Sequence, residues 1–375
     1  MPIFDQGYQH WSGGLSGHAW RCLAIARNGV RGGLKNRLVR IVLLVSWLPA
    51  VALVILLCLW GLVERQSTVV APYLGFLTSF FGPQIVVDPR HYRIEIWTIC
   101  YDYFLLTELR CSMLLILLVG PNLISQDLRF NALPLYFSRP LRRSDYFLGK
   151  LGVIGAFLGL VVIVPSLIAY VFGLLFSLDI TIVRDTLGIL LSSIGYGLVI
   201  AISAGLLILA LSSLSRNSRY VALFWLALWF VSGIVGAVLH AVDHEQRVHA
   251  LQREIAISRQ TQLSDRSGPS GAGPFNHSRI RDDLFAEEIE ASKSDWRPLV
   301  SYSANLSRVG KQLLGTNACW ESLGQLLPPR ERARLLSINM GPQYPWYWSA
   351  AVLTGLIGLS VCILNFRIKS LDRLK

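Results

Sequence analysis

Three charged residues stand where charge is costly. Asp102, Glu108 and Arg110 lie in or beside an apolar run at 104–124. A charge in hydrocarbon costs at least a few kcal/mol, so such groups usually face a protein interior or a water-filled path. One reading makes them a pathway or gate where two copies of the chain meet. The other starts the helix later, with Asp102 at the headgroups and Glu108 paired with Arg110 or a neighbouring helix. Glu108 and Arg110 are two residues apart, so they do not face each other on one helix. His240, His244 and His249 are spaced i, i+4 and i+9, which puts only the first two on one face and favours a surface over a metal site. No G-x-x-x-x-G-K-[ST], H-E-x-x-H or G-x-S-x-G occurs. The Gly-rich stretch at 268–274 has no Lys. The chain is therefore expected to hold no catalytic residue, metal or cofactor, and not to be an enzyme.

The elements around these residues follow from composition. Of 375 residues, 53% are hydrophobic and 15% are charged, well below the quarter charged in ordinary soluble domains. Six runs approach the ~20 apolar residues that cross a bilayer: 41–63, 104–124, 151–178, 187–214, 220–242 and 346–366. Trp346, Tyr347 and Trp348 open the last run as an interfacial aromatic cluster. A multi-pass all-α membrane protein follows; barrel strands would be short and alternating. The first run starts about forty residues in, after a polar and basic stretch. It is therefore read as a retained span rather than a signal peptide. Gly152, Gly155, Gly159, Gly195, Gly197 and Gly205 are read as helix-packing contacts.

The net charge of +12 is distributed unevenly. Segments 1–40, 125–150, 215–219 and 367–375 together hold 17 Lys/Arg and 4 Asp/Glu, a surplus of +13, so the remainder sums to −1. The positive-inside rule puts these four segments, and with them both termini, in the cytoplasm. Segment 243–345 has 13 basic and 12 acidic residues. It is read as facing outward, because long loops translocate largely regardless of charge. The basic residues lie beside anionic headgroups and come with no nucleic-acid motif, so no nucleic-acid partner is expected.

The cytoplasmic loop at 122–147 combines charge with apolar side chains. Gly120-Pro121 loosens the end of the second span, and Ser125 is read as the N-cap of a short helix through Asp127 and Arg129 toward Leu133. Pro134 and Pro140 limit its length. Leu133, Leu135, Tyr136 and Phe137 offer an apolar docking surface among Arg139, Arg142 and Arg143, and Ser144-Asp145 caps the third span near Tyr146.

The pattern Ile124-Ser-x-Asp-Leu-Arg-x-Asn-Ala-Leu-Pro-Leu-Tyr-x-Ser-Arg-Pro-Leu-x-Arg-x-x-Tyr-x-x-Gly-Lys150 resembles the loop between the second and third helices of bacterial ABC-2 type transporter permeases. Gly7-Tyr8-Gln9-His10-Trp11-x-Gly13, followed by Ala24-Ile25-Ala26-Arg27-x-Gly29, is similar to the same family's entry into an amphipathic interfacial helix. Here that helix would run roughly over 17–36, with a basic face of Arg21, Arg27, Arg31 and Lys35. The resemblance covers about 7–240 and 346–375 and is absent from 243–345. It implies six helices with both termini inside, and a coupling helix that docks on an ATP-binding subunit. Carried onto this chain, the coupling residues are Asp127, Arg129, Asn131, Leu133, Pro134, Tyr136, Arg139, Pro140, Arg143 and Tyr146. ATP and Mg would sit on that partner.

The expected organisation is a cytoplasmic N-terminus with the interfacial helix (1–40), helices one to five (41–242), an external periplasmic region (243–345), and helix six with a cytoplasmic tail (346–375). In 243–345 the fifth helix is expected to continue over 243–263. A flexible stretch follows at 264–278, a charged helix at 281–292, and amphipathic helices at 296–315 and 320–327. Leu299, Leu306, Val309, Leu313 and Leu314 are expected at the outer membrane surface. This region is read as either an external lid or a docking surface for a periplasmic partner. Cys319 is read as a free, intermolecular or buried thiol. The expected function is the permease subunit of an exporter in the bacterial cytoplasmic membrane, with two permease copies, two ATP-binding subunits and membrane lipid as partners. A non-transporting scaffold of an envelope machine is the alternative. An ion-driven secondary transporter is a weaker third, since it would call for charges in several spans.

Overall fold

The computed structural model describes residues 17–65, 87–133, 142–177, 181–265, 294–327 and 344–372, with a few single positions between them. These are helical almost throughout, with no strand among the described residues. Helix α1 (His18–Leu34) precedes α2 (Arg37–Glu64). Next come α3 (Arg93–Val119), the short α4 (Asn122–Arg129), α5 (Arg143–Leu158) and α6 (Val164–Ser177). The chain continues through α7 (Thr181–Leu214), α8 (Ser218–Leu226), α9 (Ser232–Asp265), α10 (Tyr302–Leu314), α11 (Thr316–Gly324) and α12 (Trp346–Asp372). Six of these helices or helix pairs are long and apolar enough to cross a membrane: Arg37–Glu64, Arg93–Arg129, Ser144–Ser177, Thr181–Leu214, Ser218–Arg247 and Trp346–Arg367. The protein is therefore a multi-pass, all-helical membrane protein.

Five of the six spans start before the run read from sequence, and the second starts earliest relative to it. Helix α3 begins at Arg93, so Asp102 sits inside the helix rather than at its start. The reading that shortened this helix is overturned. The fifth helix does extend past its apolar run, to Asp265.

Two spans contain a π-turn. Pro165 has no N–H to give to the preceding turn, and the ladder shifts register at Gly159–Ile163 immediately before it. Just beyond it, the Ser166 hydroxyl donates to the Val162 carbonyl at 2.6 Å. The second π-turn, Ala227–Val231, is closed by the Ser232 hydroxyl, which donates to the Leu228 carbonyl.

Helix α1 packs along α5, where Gly29 faces Val153 and a Cβ at Gly149 would lie 2.7 Å from Ile25 Cβ. Gly152, Gly197 and Gly205 likewise meet neighbouring helices, whereas Gly155, Gly159 and Gly195 have nothing within 4 Å.

Helix α10 packs among the spans, against α7, α12 and α3. The Tyr302 hydroxyl bonds Ser203 Oγ at 3.2 Å, and a Cβ at Gly310 would meet the Tyr196 ring at 2.7 Å. Ser203 lies eleven residues, about 16 Å, before the end of α7. The face expected at the outer membrane surface is instead turned onto protein: Leu306 and Leu314 are buried, and only Leu313 is well exposed. Cys319 is buried on α11, one of six free thiols, and burial pushes its pKa up. Residues 266–293, including the expected flexible stretch and charged helix, lie outside the described residues.

At one end of the bundle a charged cluster joins four helices. Glu64, the last residue of α2, accepts from Arg93 Nε at 2.9 Å and Arg93 Nη2 at 3.1 Å, from Trp60 Nε1 at 2.9 Å, and from the Ser177 hydroxyl at 2.8 Å. Arg93 Nη1 reaches Asp185 at 3.1 Å and Thr181 at 3.2 Å. Side chains of Arg93 and Glu64 are only 4% and 3% exposed, so removing one strands the other in a dry site. Arg93→Met is expected to destabilise the protein by about 3–5 kcal/mol, whereas Asp185→Asn, at the more exposed rim, costs less. Thermal melting of the detergent-purified variants checks this order.

Candidate functional site

The expected coupling element is α4 with the residues that follow it. Gly120 and Pro121 keep right-handed helical dihedrals, so α3 bends rather than stops, and α4 starts at Asn122. Gly120 lies against Ile208 of α7, an approach any side chain would block. The first backbone N–H groups of a helix have no partner within it. Ser212 on α7 meets this need from across the bundle. Its Oγ accepts from Ile124 N at 3.1 Å and Ser125 N at 3.0 Å, and its hydroxyl donates to the Pro121 carbonyl at 3.1 Å. Ser125 is thus not an N-cap; it lies inside the helix, fully buried, and donates back to the Pro121 carbonyl.

Asp127 ties α4 to α5. Its carboxylate accepts the Tyr146 hydroxyl at 2.6 Å and pairs with the Lys150 ammonium at 2.7 Å. Lys150 Nζ also lies 5.4 Å from the centre of the Tyr146 ring, and the Tyr136 ring packs 5.7 Å from that of Tyr146. Tyr136 lies beyond the spans, and burial, with Asp127 nearby, raises its hydroxyl pKa. Asp127, Tyr136 and Tyr146 therefore meet as one anchor.

The expected docking surface is changed at one of its four apolar residues; Tyr136 is 36% exposed, and Leu135 and Phe137 lie outside the described residues. Leu133 is buried, so it adds nothing to a docking surface. Asn122, Gln126 and Arg129, spaced i, i+4 and i+7, are exposed and lead to Phe130, 73% exposed, and Asn131. Asn131 holds a left-handed φ of 50°, which asparagine adopts more easily than most residues. That turn lets the chain reverse and tuck Leu133 inward. Pro134, Leu135, Phe137, Arg139 and Pro140 lie outside the described residues, as does the side chain of Arg143. Asp145, the third residue of α5, does help cap it as expected: its carboxylate accepts the N–H of the N-cap residue Arg142 at 3.3 Å, the acidic half of a capping box.

The charges of α3 have three separate destinations. Asp102 turns toward α10 and α11, within electrostatic reach of Lys311. Lys311 donates to the Asn339 carbonyl at 2.8 Å, and burial lowers its pKa while Asp102 opposes the shift. Glu108 is fully buried, and neither carboxyl oxygen has a hydrogen-bond partner among the described residues. The structural pairing considered for Glu108 is thus not formed. Arg110 is exposed on another side of the helix.

Sequence reading missed the Glu64–Arg93–Asp185 cluster. The signal lay in Glu64, one turn after Trp60 at the end of an uncharged run, and in Arg93 within one helix length of that run's successor. Among the described residues no group of three His, Cys, Asp or Glu is arranged to hold a metal; His240 lies 3.9 Å from Asp295 and His249 lies 3.9 Å from Glu245.

If Asp127 fastens α4 to the bundle, Asp127→Ala should cost about 1.5–3 kcal/mol, the range for a hydrogen bond to a charged group. Limited proteolysis should then cut near 129–131 faster, while Arg129→Ala leaves the melting temperature close to wild type. No protein-family model matches this chain, and no curated protein matches it.

Proposed function

We propose that the chain is the transmembrane subunit of an ATP-driven ABC-2 type transporter. It exports a substrate across the bacterial cytoplasmic membrane, with both termini in the cytoplasm. Two copies pair, and each engages a separate ATP-binding subunit that carries the ATP and Mg. No bond is made or broken in this chain.

The observation that carries this reading is α4, a two-turn helix with one face fastened and the other free. Ser212 fastens it to α7 and Asp127 fastens it to α5, while Asn122, Gln126, Arg129 and Phe130 face outward. The lysine and arginine surplus of the four basic segments supports a cytoplasmic position for this end of the bundle. A motor pressing on the free face moves α3, α5 and α7 together, because α4 continues the backbone of α3 through Gly120 and Pro121 and its side-chain bonds reach α5 and α7. The exposed Phe130, flanked by Arg129 at 5.7 Å over its ring, supplies the apolar and cationic contact typical of interface anchors.

The tagged chain, purified from its own cells in mild detergent, is expected to bring down a Walker-motif ATPase. Arg129→Glu with Phe130→Asp should lower the recovered ATPase about tenfold or more, equivalent to ~1.4 kcal/mol. Both positions are exposed, so melting should shift by only a few degrees. Transport by the purified chain alone, with no ATPase present, would contradict the reading.

A further inference from the structure

Arg110 is the one charge of α3 that points out of the protein, and the described residues around it offer no counter-charge. It lies ten residues before Gly120, about 15 Å along the axis, and seventeen after Arg93, about 25 Å, the helix running Arg93–Val119. In a hydrocarbon core of about 30 Å that position is near the centre, beyond easy snorkelling to either water layer. Arg110 is exposed on a stripe with Tyr103, Thr107 and Leu114, spaced as one helix face. Tyr103 is 51% exposed and Leu114 42%. Among the described residues Arg110 has neither an ion pair nor a hydrogen bond.

A second copy of the chain does not supply the missing charge. A two-fold axis beside this stripe brings Arg110 toward another Arg110. The other exposed mid-span faces, such as Leu48 of α2, Leu223 of α8 and Leu359 of α12, are uncharged. Glu108, the acid at this depth among the described residues, is buried on a different side of α3. Asp102 is already turned toward Lys311. A guanidinium in the middle of a membrane needs a counter-ion, and a planar, always charged fork matches phosphate and carboxylate best.

We propose that Arg110 contacts an anionic group at mid-membrane, a phosphate or carboxylate borne by the transported molecule or by a lipid. The inference deepens the transport reading and rests on it for its functional meaning: the substrate class is anionic, and the stripe carrying Arg110 faces its path.

The test uses the full chain with its six cysteines changed to Ser, in vesicles, carrying Thr107→Cys or Leu114→Cys. Each is made with Arg110 intact and with Arg110→Gln. The labels are the anionic sulfonatoethyl methanethiosulfonate and the cationic trimethylammonioethyl analogue. With Arg110 present the anionic reagent should react about tenfold faster, as expected for a focused positive field, and Arg110→Gln should abolish that preference. If phosphatidylglycerol slows this reaction relative to phosphatidylcholine, and only with Arg110 present, the anion is a lipid headgroup. If it does not, the anion is one carried through the path.

No reaction with either label, a cationic preference, or a preference that survives Arg110→Gln overturns the proposal. In the chain with native cysteines, Arg110→Leu should leave the melting temperature unchanged or raise it. A fall of more than about 4 °C would mean that protein groups hold the guanidinium, and would overturn it too. Neither measurement needs the ATPase, so failure here leaves the docking reading standing, and failure of the docking test leaves the charge preference to be read by itself.

Discussion

A charge inside an apolar helix bundle needs a partner that hydrocarbon tails cannot supply. Glu64 shows how completely this can be met: one carboxylate accepts from Nε and Nη2 along one edge of the Arg93 guanidinium, from the Trp60 indole and from the Ser177 hydroxyl. Those donors come from α2, α3 and α6, and Arg93 carries the link on to α7 through Asp185 and Thr181. Four helix ends are thereby held at fixed spacing. Such a buried pair is weak evidence of net stabilisation, since well-packed apolar residues can serve as well. Its geometry, with both charges met at once, is suited to fixing the register of these ends.

The opposite end is built differently. There Asp127 and Ser212 hold α4, but only along one side. In the proposed reading, the fastened side transmits motion and the free side receives it. Between the two ends α10 fills the bundle, with Tyr302 on Ser203 and Gly310 on Tyr196. The π-turns at Gly159–Ile163 and Ala227–Val231 lie along this middle zone, where the backbone ladder is already relaxed by one residue. A bundle locked at one end, filled in the middle and held by one face at the other suits transmission of force from that end.

Much of this was legible in the sequence. Apolar runs reported six spans because lipid imposes length and hydrophobicity on each run independently of its neighbours. The helix at His18–Leu34, the bend at Gly120-Pro121 and the start of α5 near Asp145 are local as well, and each was anticipated within a few residues. The misplaced features share one cause. Arg93 looks like a loop charge until Glu64 and Asp185, 29 and 92 residues away in sequence, are placed beside it. Ser125 looks like a cap until Ser212, 87 residues on, takes that role. Leu133 looks exposed until Asn131 turns the chain inward. Long-range pairing decided each case, and a single sequence carries almost no signal for it.

The central claim is that α4, the free-faced end of the bundle, lies on the cytoplasmic side, opposite the Glu64–Arg93 clamp and the α9 extension. Impermeant maleimide labelling of Gln126→Cys and Arg253→Cys, each in a cysteine-free chain, tests this directly; both native side chains are exposed. Intact cells should label Arg253→Cys only, and inside-out vesicles Gln126→Cys only. Labelling of Gln126→Cys from outside intact cells would reverse the bundle and remove α4 from the reach of any cytoplasmic ATPase.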